Sequence, residues 1–402
     1  MDMAKPIIRF KGYQDDWEQR KLGDLTEELS EYATMASGLP LLTSSRSGLM
    51  YQSDFRDRKT TTSDETLFSI VPKGSCTYRH MSDDDIFHLN INVLEKGLVS
   101  REYPVFISSE NNDLEFIIQH INSSDRFRAF CKGQKKGGTR TRLYYKTLCE
   151  FEMMIPSIEE QKKISATLHS LDYLITLHQR KCDETKRLKK YMLQKMFPQN
   201  GEKVPEIRFS GFTDDWEQRK LSELLVERNV QHSQSEEFPL VSFTVENGVT
   251  PKTERYEREQ LVRGDKSAKK YKETRLDDIV YNPANLKFGA ISRNKLGNAV
   301  FSPIYVTFEV KKDLVKPSFI EMVVTRKNFI QKALQYQQGT VYERMAVNTE
   351  DFTNLDVYIP NGFEQEKIGN YFENLDHLIT LHQRELENLQ NIKKFMLGKM
   401  FV

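Results

Sequence analysis

Few stretches of this 402-residue chain combine residue types that could do chemistry. The best candidate is Tyr281-Asn282-Pro283-Ala284-Asn285, which is similar to the Asn/Asp-Pro-Pro-Tyr signature that holds an extruded base in adenine methyltransferases. The aromatic residue that should follow a second proline is missing, and no glycine-rich loop for S-adenosylmethionine precedes the motif. Because Asn-Pro also favours turns, we interpret the stretch as a turn and expect no catalytic residue.

Metal and nucleotide sites are not indicated either. Asp83-Asp84-Asp85 and Asp277-Asp278 could supply metal ligands, but no acidic-x-Lys partner follows at nuclease spacing, and exposed turn acids explain them better. Gly137-Gly138 lacks the rest of a phosphate-binding loop. The cysteines form no Cys-x-x-Cys pair, so we expect reduced, structural thiols. They are Cys76, Cys131, Cys149 and Cys182. The residues predict a binding protein without a metal or cofactor of its own.

The composition is that of a soluble protein with two or three domains. Hydrophobic residues make up 38% and charged residues 29% of the chain. No apolar run approaches the ~20 residues that a transmembrane helix needs. The first ten residues lack the apolar core of a signal peptide. We therefore expect a cytoplasmic protein with no membrane partner.

Net charge does not indicate a nucleic-acid partner, because 59 basic residues are balanced by 58 acidic ones. The basic residues are nevertheless clustered. Residues 132–142 contain five basic and no acidic residues, and residues 252–275 contain nine basic and five acidic residues. Local excesses of this kind are typical of phosphate-binding surfaces, although most charged runs are simply solvated.

A duplicated helix dominates the elements that would position these clusters. Residues 161–197 recur as residues 365–401, and both copies contain LDxLITLHQR. Apolar residues spaced by three and four positions form one narrow stripe on each copy, which predicts two long amphipathic helices. The first stripe contains Ile164, Leu168, Leu171, Ile175, His178, Cys182, Leu188, Met192 and Met196. The second contains Ile368, Phe372, Leu375, Ile379, His382, Leu386, Leu389, Ile392, Met396 and Met400.

Each stripe requires a partner, and the nearest one is the stripe of the other copy. We expect the two helices to pair as an antiparallel, intramolecular coiled coil, roughly 55 Å long at 1.5 Å per residue. Such an element suits a spacer that holds two domains a fixed distance apart. The alternative is that each stripe packs on its own domain or drives homodimerisation.

The segment that opens each half is duplicated as well. DDWEQRKL occurs at 15–22 and 214–221 and contains the only two tryptophans of the chain, Trp17 and Trp216. We expect these to anchor short helices over 17–28 and 216–227. The two interiors that follow hardly resemble each other. In them we predict strands at 67–71, 105–107, 278–281 and 304–310 and helices at 116–121 and 319–333.

These elements predict an α+β fold class with two pseudo-twofold-related α/β domains, separated by an antiparallel coiled coil of two long helices. The first domain should span 1–157 and its spacer helix 158–198. The second domain should span 199–362 and its spacer helix 363–402.

Over essentially its full length the sequence resembles the specificity subunit of type I DNA restriction-modification systems. The resemblance is carried by the two DDWEQRKL segments, by Ile-Pro followed by Glu-Gln at 155–161 and 359–365, and by the two LDxLITLHQR segments. It implies that the α/β domains are target-recognition domains, which read the two halves of a split, asymmetric site on double-stranded DNA. The coiled coil would then fix the gap between the halves.

The resemblance also implies that partner subunits do the chemistry. Two modification subunits would methylate adenine at N6, and restriction subunits would translocate and cleave DNA. S-adenosylmethionine, ATP and Mg²⁺ would then be bound by those partners. This chain itself would be a non-catalytic recognition subunit in host defence.

Base reading requires side chains that donate and accept hydrogen bonds in the major groove, whereas phosphate contacts outnumber base contacts in most complexes. The candidates in the first interior are Arg79, Lys132, Lys135, Lys136, Thr139, Arg140 and Arg142. Those in the second are Asn285, Lys287, Arg293, Tyr342 and Arg344, with Lys269 and Lys270 expected on phosphates.

Two other function classes fit parts of the sequence. One is a coiled-coil adaptor that organises protein partners, with DNA binding incidental. The other is a stand-alone methyltransferase. DNA binding in the presence of a modification subunit distinguishes the adaptor, and incubation of the chain alone with labelled S-adenosylmethionine tests the methyltransferase.

Overall fold

The computed structural model describes residues 5–55, 65–135, 137, 139–199, 201–245, 248–251, 270–338 and 345–401. The chain divides into two compact units. Unit 1 contains Met1–Gln179 and Arg384–Val402, and unit 2 contains Arg180–Gln383. Each unit therefore includes the first part of one long helix and the last part of the other.

Unit 1 consists of short strands and helices followed by the first long helix. In chain order the elements are β1 Glu18–Lys21, α1 Leu22–Leu25, β2 Thr26–Glu28, β3 Tyr32–Ala33, β4 Leu42–Ser45, β5 Gly48–Tyr51, α2 Gln52–Phe55, β6 Phe68–Val71, β7 Cys76–Thr77, β8 Met81–Ser82, β9 Asn90–Ile91, β10 Gly97–Ser100, β11 Val105–Ser108, α3 Leu114–Ser123, α4 Asp125–Gly133, β12 Thr141–Arg142, α5 Tyr145–Leu148, β13 Glu152–Ile155 and α6 Ile158–Lys195.

Unit 2 repeats this plan and leads into the second long helix. Its elements are β14 Glu217–Lys220, α7 Leu221–Leu224, β15 Leu225–Glu227, β16 Gln231–His232, β17 Val241–Thr244, β18 Gly248–Pro251, β19 Tyr271–Thr274, β20 Ile279–Tyr281, β21 Ile291–Arg293, β22 Ala299–Phe301, β23 Val306–Val310, α8 Pro317–Thr325, α9 Lys327–Leu334, α10 Thr349–Thr353, β24 Asp356–Ile359 and α11 Gly362–Met400.

The strands pair in the same order in both units. Sheets β10-β6-β3 and β2-β11-β7-β9 of unit 1 correspond to β22-β19-β16 and β15-β23-β20-β21 of unit 2. Hairpin β4-β5 corresponds to β17-β18, and the pair β1-β13 corresponds to β14-β24. The prediction that the dissimilar interiors share one α+β fold is confirmed.

Buried polar side chains hold the two interiors in the same way, although the surrounding sequences differ. The Tyr78 hydroxyl donates a 3.0 Å hydrogen bond to the backbone carbonyl that follows β12, and Tyr281 donates to the corresponding carbonyl over 3.1 Å. Asn92 and Asn294 are fully buried, and the side-chain oxygen of each accepts from the amide two residues later. Their NH₂ groups donate to three acceptors each, so these turns are fully hydrogen-bonded.

The tryptophan segments pack as predicted but are not helices. Trp17 and Trp216 are buried, with ring centroids 5.7 and 5.6 Å from those of Phe116 and Phe319. In place of a helix over 17–28, β1, the single turn α1 and β2 follow one another, and the same holds at 216–227. β1 pairs with β13 and β2 with one edge of β11, so a continuous helix would leave β13 and that edge of β11 without these hydrogen-bond partners.

The two long helices are present, with 38 residues in α6 and 39 in α11. Within unit 1 their segments run antiparallel, because Met400 shares a core with Ile164 while Lys393 pairs with Asp172 further along. Unit 2 has the same arrangement. There Met196 shares a core with Ile368, and Lys189 pairs with Asp376.

The stripe prediction is wrong at one equivalent position in each helix. Leu188 and Ile392 are 45% and 47% exposed. The inward face passes instead through the neighbouring Lys189 and Lys393, which continue the spacing of three and four. A lysine in this position covers apolar surface with its aliphatic stem and takes its charge to a carboxylate at the edge. A search for apolar residues alone therefore selects the adjacent position.

The predicted helix over 319–333 is two helices. α8 ends at Thr325, Arg326 is extended with φ −67° and ψ 140°, and α9 begins at Lys327. Neither proline nor glycine marks this break. In unit 1 the corresponding position between α3 and α4 is Ser124, whose hydroxyl accepts a 3.2 Å hydrogen bond from the Phe127 amide.

The first turn of each long helix is tied to the segment ahead of the tryptophan. Arg9 forms a two-bonded ion pair with Glu160, at 2.9 and 2.6 Å, and Arg208 forms the same pair with Glu364, at 2.7 and 2.8 Å. The glutamate side chains are fully buried, and those of the arginines are 12% and 11% exposed. The hydrogen bonds to these carboxylates raise the pKa of both arginines. Both are therefore ion pairs that are almost completely shielded from solvent.

The glutamine that follows each glutamate fixes the neighbouring elements. Gln161 accepts a 2.9 Å hydrogen bond from the Asp113 amide, just ahead of α3, and donates to the Pro156 carbonyl over 2.9 Å. Gln365 makes the equivalent contacts at 2.8 and 2.9 Å. The Glu-Gln motif thus joins strand exit, short helix and long helix in each unit.

We predict that Glu364→Gln lowers the free energy of unfolding of unit 2 by about 3 to 5 kcal/mol, because Arg208 keeps a buried charge that has lost its partner. The measurement is urea unfolding followed by the fluorescence of Trp216, in a Trp17→Phe background that silences the other tryptophan. Glu184→Gln is the matched control, since it removes an exposed carboxylate 3.9 Å from Arg180 and should be nearly neutral. Equal effects of the two substitutions would contradict the structural role of the buried pair.

Candidate nucleic-acid interface

Two loops occupy the same place in the two units and carry several of the predicted binding residues. The first interface loop, residues 78–89, joins β7 to β9 and includes the two-residue strand β8, and the second interface loop, residues 282–290, joins β20 to β21. Arg79 lies on the first, and Asn285 and Lys287 lie on the second; all three are exposed. The loops differ in length and residues, so only the strands around them reveal that they correspond.

A groove runs between the first interface loop and the hairpin β4-β5. Its volume is about 530 Å³, and Arg79 and Arg46 are among the residues that line it. Arg46 stands at the turn of the hairpin and forms an ion pair with Asp84 of the loop. Sequence reasoning missed Arg46, because nothing in its local sequence distinguishes it from an ordinary turn residue.

Buried polar contacts fix this hairpin. Asn90 donates from Nδ2 to the Ser44 hydroxyl and to the Ser45 carbonyl, each over 2.7 Å. Its Oδ1 lies 3.0 Å from His88 Nδ1, which must donate because an amide oxygen can only accept. Burial lowers the pKa of His88, so the ring is neutral at neutral pH. One wall of the groove is therefore rigid without carrying charge at this point.

The basic run at 132–142 lies beside the first interface loop, because β12 pairs with β8. Arg140 Nε lies 2.7 Å from Asp83 Oδ1, and Lys135 Nζ lies 3.6 Å from Asp85 Oδ1. The acidic cluster thus neutralises part of a charge that looks unopposed in the linear sequence. The other predicted residues of the run are exposed where described, namely Lys132, Thr139 and Arg142, and Lys136 lies outside the described residues.

The second interface loop is a tight turn, as interpreted from the sequence. Asn282 is buried, and its Oδ1 accepts hydrogen bonds from the amides of Ala284 and Asn285 over 3.1 and 3.3 Å. The hydroxyl of Tyr281 is bound to a backbone carbonyl. The side chains that a base-extruding methyltransferase would use are thus occupied by contacts within the fold.

An exposed aromatic ring stands beside Lys287 on this loop. Phe288 is 63% exposed, and Lys287 Nζ lies 5.0 Å from the ring centroid. The hairpin β17-β18 approaches the same turn, since a Cβ on Gly289 would lie 3.8 Å from Val245. Exposed apolar groups next to a cation are suited to contact thymine methyl groups and sugars. Sequence reasoning missed Phe288, because an apolar residue in such a pattern is usually assigned to the core.

Arg293 has a position that differs from the prediction. Its guanidinium is nearly buried and forms ion pairs with Asp277 at 3.1 Å, with Glu321 at 3.0 Å and with Glu373. These contacts indicate a structural role, and its DNA contact stays a prediction. Asp278 is also not the exposed turn acid expected, since it is buried and pairs with Arg228 at 2.8 Å.

The remaining predicted residues are only partly accounted for. Lys270 is exposed immediately before β19. Three further residues lie outside the described part of the chain, namely Lys269, Tyr342 and Arg344.

Within the described residues, no group of three or more His, Cys, Asp or Glu side chains could hold a metal ion. No helix in that same part of the chain is long and apolar enough to cross a bilayer. All four cysteines are free, and burial raises the pKa of Cys131 to about 12, as befits a packing residue. The two loops and the basic run beside the first present exposed cations, amides and one aromatic ring, which suit a polyanion once the cations leave the Asp83–Asp85 cluster.

Comparison with known proteins points in the same direction. Residues 86–187 match the family model described as "Type I restriction modification DNA specificity domain". The crystal structure of a type I restriction-modification S subunit from M. genitalium aligns with 99% of this chain and 99% of its own, at 13% identity and a TM-score of 0.60. A search of curated proteins finds no match.

Two further structures align with a lower TM-score. One concerns complex assembly and conformational transition of the type I R-M system and covers 98% of this chain and 99% of its own, at 14% identity and a TM-score of 0.44. The other is the HsdS subunit from Thermoanaerobacter tengcongensis, with 96% of each chain covered, 14% identity and a TM-score of 0.41. Only the alignment with the M. genitalium S subunit, at a TM-score of 0.60, establishes a shared fold along the chain. The resemblance predicted from the repeats is confirmed, since residues 86–187 match the model of a type I restriction-modification DNA specificity domain and the chain shares the fold of the M. genitalium S subunit.

Proposed function

We propose that this chain gives a type I restriction-modification complex its DNA sequence preference by reading a bipartite, asymmetric site on double-stranded DNA. The observation that carries the proposal is one fold repeated with two unlike interface loops. Surfaces that are equivalent in position but different in side chains are suited to two different short sequences. A single reading surface would not require the second copy.

Direct readout fits the side chains on these loops. Arginine pairs with guanine and asparagine with adenine in the major groove, which makes Arg79, Arg140 and Asn285 the leading base readers. The lysines on and beside the loops are point charges suited to phosphates. The ion pair of Arg140 with Asp83 is exposed to solvent. Because exposed ion pairs contribute little free energy, Arg140 can leave Asp83 and bind DNA at small cost.

The long helices carry a surface for protein partners on the flank next to the inward stripe. In unit 1, Leu174, Ile392 and Phe395 are exposed, and each precedes a stripe residue by one position. In an antiparallel pair these positions of the two helices project to the same side. The exposed residues Leu188, Tyr191, Leu378 and Leu381 form the same patch in unit 2. Two copies of one apolar patch fit two copies of one partner.

We assign these patches to two modification subunits, which methylate adenine at N6 with S-adenosylmethionine. Restriction subunits that use ATP and Mg²⁺ complete the complex. We also propose that the chain is located in the cytoplasm, because its partner is DNA. A protein adaptor without DNA recognition would use the same apolar patches. It would have no need for two different sets of exposed polar side chains on the interface loops.

The decisive test is to reconstitute the chain with its modification subunits and to map methylated adenines in genomic DNA. The wild type should give one split motif with a gap of constant length. Asn285→Ala combined with Lys287→Ala should relax one part of the motif, and Arg79→Ala combined with Arg140→Ala should relax the other part. Each variant is the control for the other. Loss of both parts together, or a wild type without a motif, would overturn the proposal.

Asp83 and Arg140 allow a second prediction about binding strength. Arg140→Ala should weaken binding to the target by about 1 to 3 kcal/mol if the side chain reads a base. Asp83→Asn should strengthen binding, because it releases Arg140 and removes a negative charge near the phosphates. Fluorescence anisotropy of the complex with labelled target DNA measures both effects. Weaker binding of the Asp83→Asn variant would contradict the inference that Asp83 only withholds Arg140 from the DNA.

The partner patches predict a change in stoichiometry. Leu174→Gln with Ile392→Gln should leave one modification subunit bound, Leu188→Gln with Leu378→Gln should leave the other, and all four together should leave none. Native mass spectrometry of the complex counts the subunits, and circular dichroism checks that the helices persist. Ile304→Gln, which alters an exposed apolar residue away from the long helices, is the control and should retain both. Unchanged stoichiometry in the fourfold variant would rule out these patches as the docking sites.

A further inference from the structure

Unit 2 contains a basic cavity beside the last turns of the first long helix. Its volume is about 500 Å³, and it lies between α6, the part of α11 that contains Asp376 and Ile379, and the junction of α8 with α9. The charged residues that line it are Lys186, Lys189, Lys190, Arg326, Lys327 and Asp376. The single carboxylate is already paired with Lys189. Within the described residues, the other four cations contact no carboxylate, so the cavity keeps an excess of positive charge.

Arg326 is the least exposed of these cations. Its guanidinium carbon lies 4.8 Å from the ring centroid of Phe197, and its Nη2 donates to the Pro198 carbonyl over 3.4 Å. Burial lowers the pKa of Arg326 to about 10, which still leaves it charged at neutral pH. A partly buried cation without a counter-ion is costly, and an anion in the cavity would offset that cost.

The start of α9 adds hydrogen-bond donors at the same place. The Arg326 side chain cannot accept from the first amides of this helix, and it makes no capping hydrogen bond. In unit 1 the equivalent Ser124 does cap α4. Uncapped amides at a helix N-terminus, together with the helix dipole, favour a phosphate oxygen.

The fold does not require this charge. At the positions that correspond to Lys186, Arg326 and Lys327, unit 1 has Gln390, Ser124 and Asp125. Lys189 and Lys190 have the equivalents Lys393 and Lys394, so the same helices pack in unit 1 without three of the five cations. The complete cluster is found in unit 2 and not in unit 1, which points to a ligand rather than to packing.

We propose that this cavity holds a backbone phosphate of the bound DNA, a contact that is independent of base sequence and rests on the proposed function. The flank of α6 on which it opens favours DNA over a protein partner. Lys186, Lys190 and Leu193 follow one another at helical spacing and share one flank. Leu188 and Tyr191 of the apolar patch lie on the other flank, so a partner docked there would leave the cavity open.

The test is the salt dependence of DNA binding by the complex reconstituted with modification subunits. Lys186→Gln, Lys190→Gln and Lys327→Gln are combined in one chain, and affinity is measured for target and random DNA of equal length. We expect both affinities to fall by the same factor and the slope of log K against log salt to decrease by about 1. The ratio of wild-type to variant affinity should then be about fourfold larger at about 50 mM than at about 200 mM salt.

A single substitution in each unit provides the matched control. Lys190→Gln should change the slope, whereas Lys394→Gln, at the equivalent position of α11, should not. An unchanged slope in the triple variant would overturn the proposal. If inorganic phosphate then raises the melting temperature of the wild type but not of the variant, the cavity binds free phosphate instead of DNA.

Two other results separate the remaining explanations. Failure of the triple variant to assemble with modification subunits would identify an acidic protein surface as the occupant and would also overturn the proposal. A wild-type complex that binds no DNA at any salt concentration would overturn the proposed function, and with it this inference. A wild type with normal sequence preference and a variant with an unchanged slope would overturn the inference alone.

Discussion

The structure depends on one buried interaction that occurs twice, the pairing of an arginine with the glutamate in the first turn of each long helix. These pairs are Arg9 with Glu160 and Arg208 with Glu364, and both are buried. An unpaired charge in such a buried position would cost several kcal/mol. Few geometries satisfy a two-bonded guanidinium-carboxylate pair, so the pair admits essentially one placement of the helix start on its domain. The adjoining glutamine then secures the strand that leads into the helix.

The two units share the same buried framework of hydrogen bonds, whereas the loops on their surfaces differ. Tyr78 and Tyr281 make the same hydrogen bond, and Asn92 and Asn294 satisfy the same kind of turn, within sequences that otherwise differ. Fully satisfied buried polar groups specify a fold strongly, because any alternative leaves donors or acceptors unpaired. Loops attached to such a frame can change length and side chains without refolding the domain. This is how one fold can present two unlike surfaces.

The near-zero net charge of the chain is compatible with DNA binding because of how the charges are arranged in space. At the first interface loop the cations form ion pairs with nearby acids, namely Arg140 with Asp83 and Arg46 with Asp84. Exposed pairs of this kind contribute little, so the cations can leave them for a phosphate or a base. Arg293, in contrast, is held by three carboxylates and is part of the frame. The basic cavity of unit 2 differs from both, because its cations are close together and most of them have no carboxylate partner in the described part of the chain.

The sequence by itself determined the duplication, the α+β class and the two long helices, which begin at Ile158 and Gly362. These features depend on periodicity and repetition, which are local properties. Only the tertiary structure decided that 17–28 is strand, turn and strand, because β13, which pairs with β1, lies more than a hundred residues away. The same holds for the inward lysines, Lys189 and Lys393, and for the pairing of Asp83 with Arg140. Strand partners and charge partners are brought together by the fold, so no local pattern could reveal them.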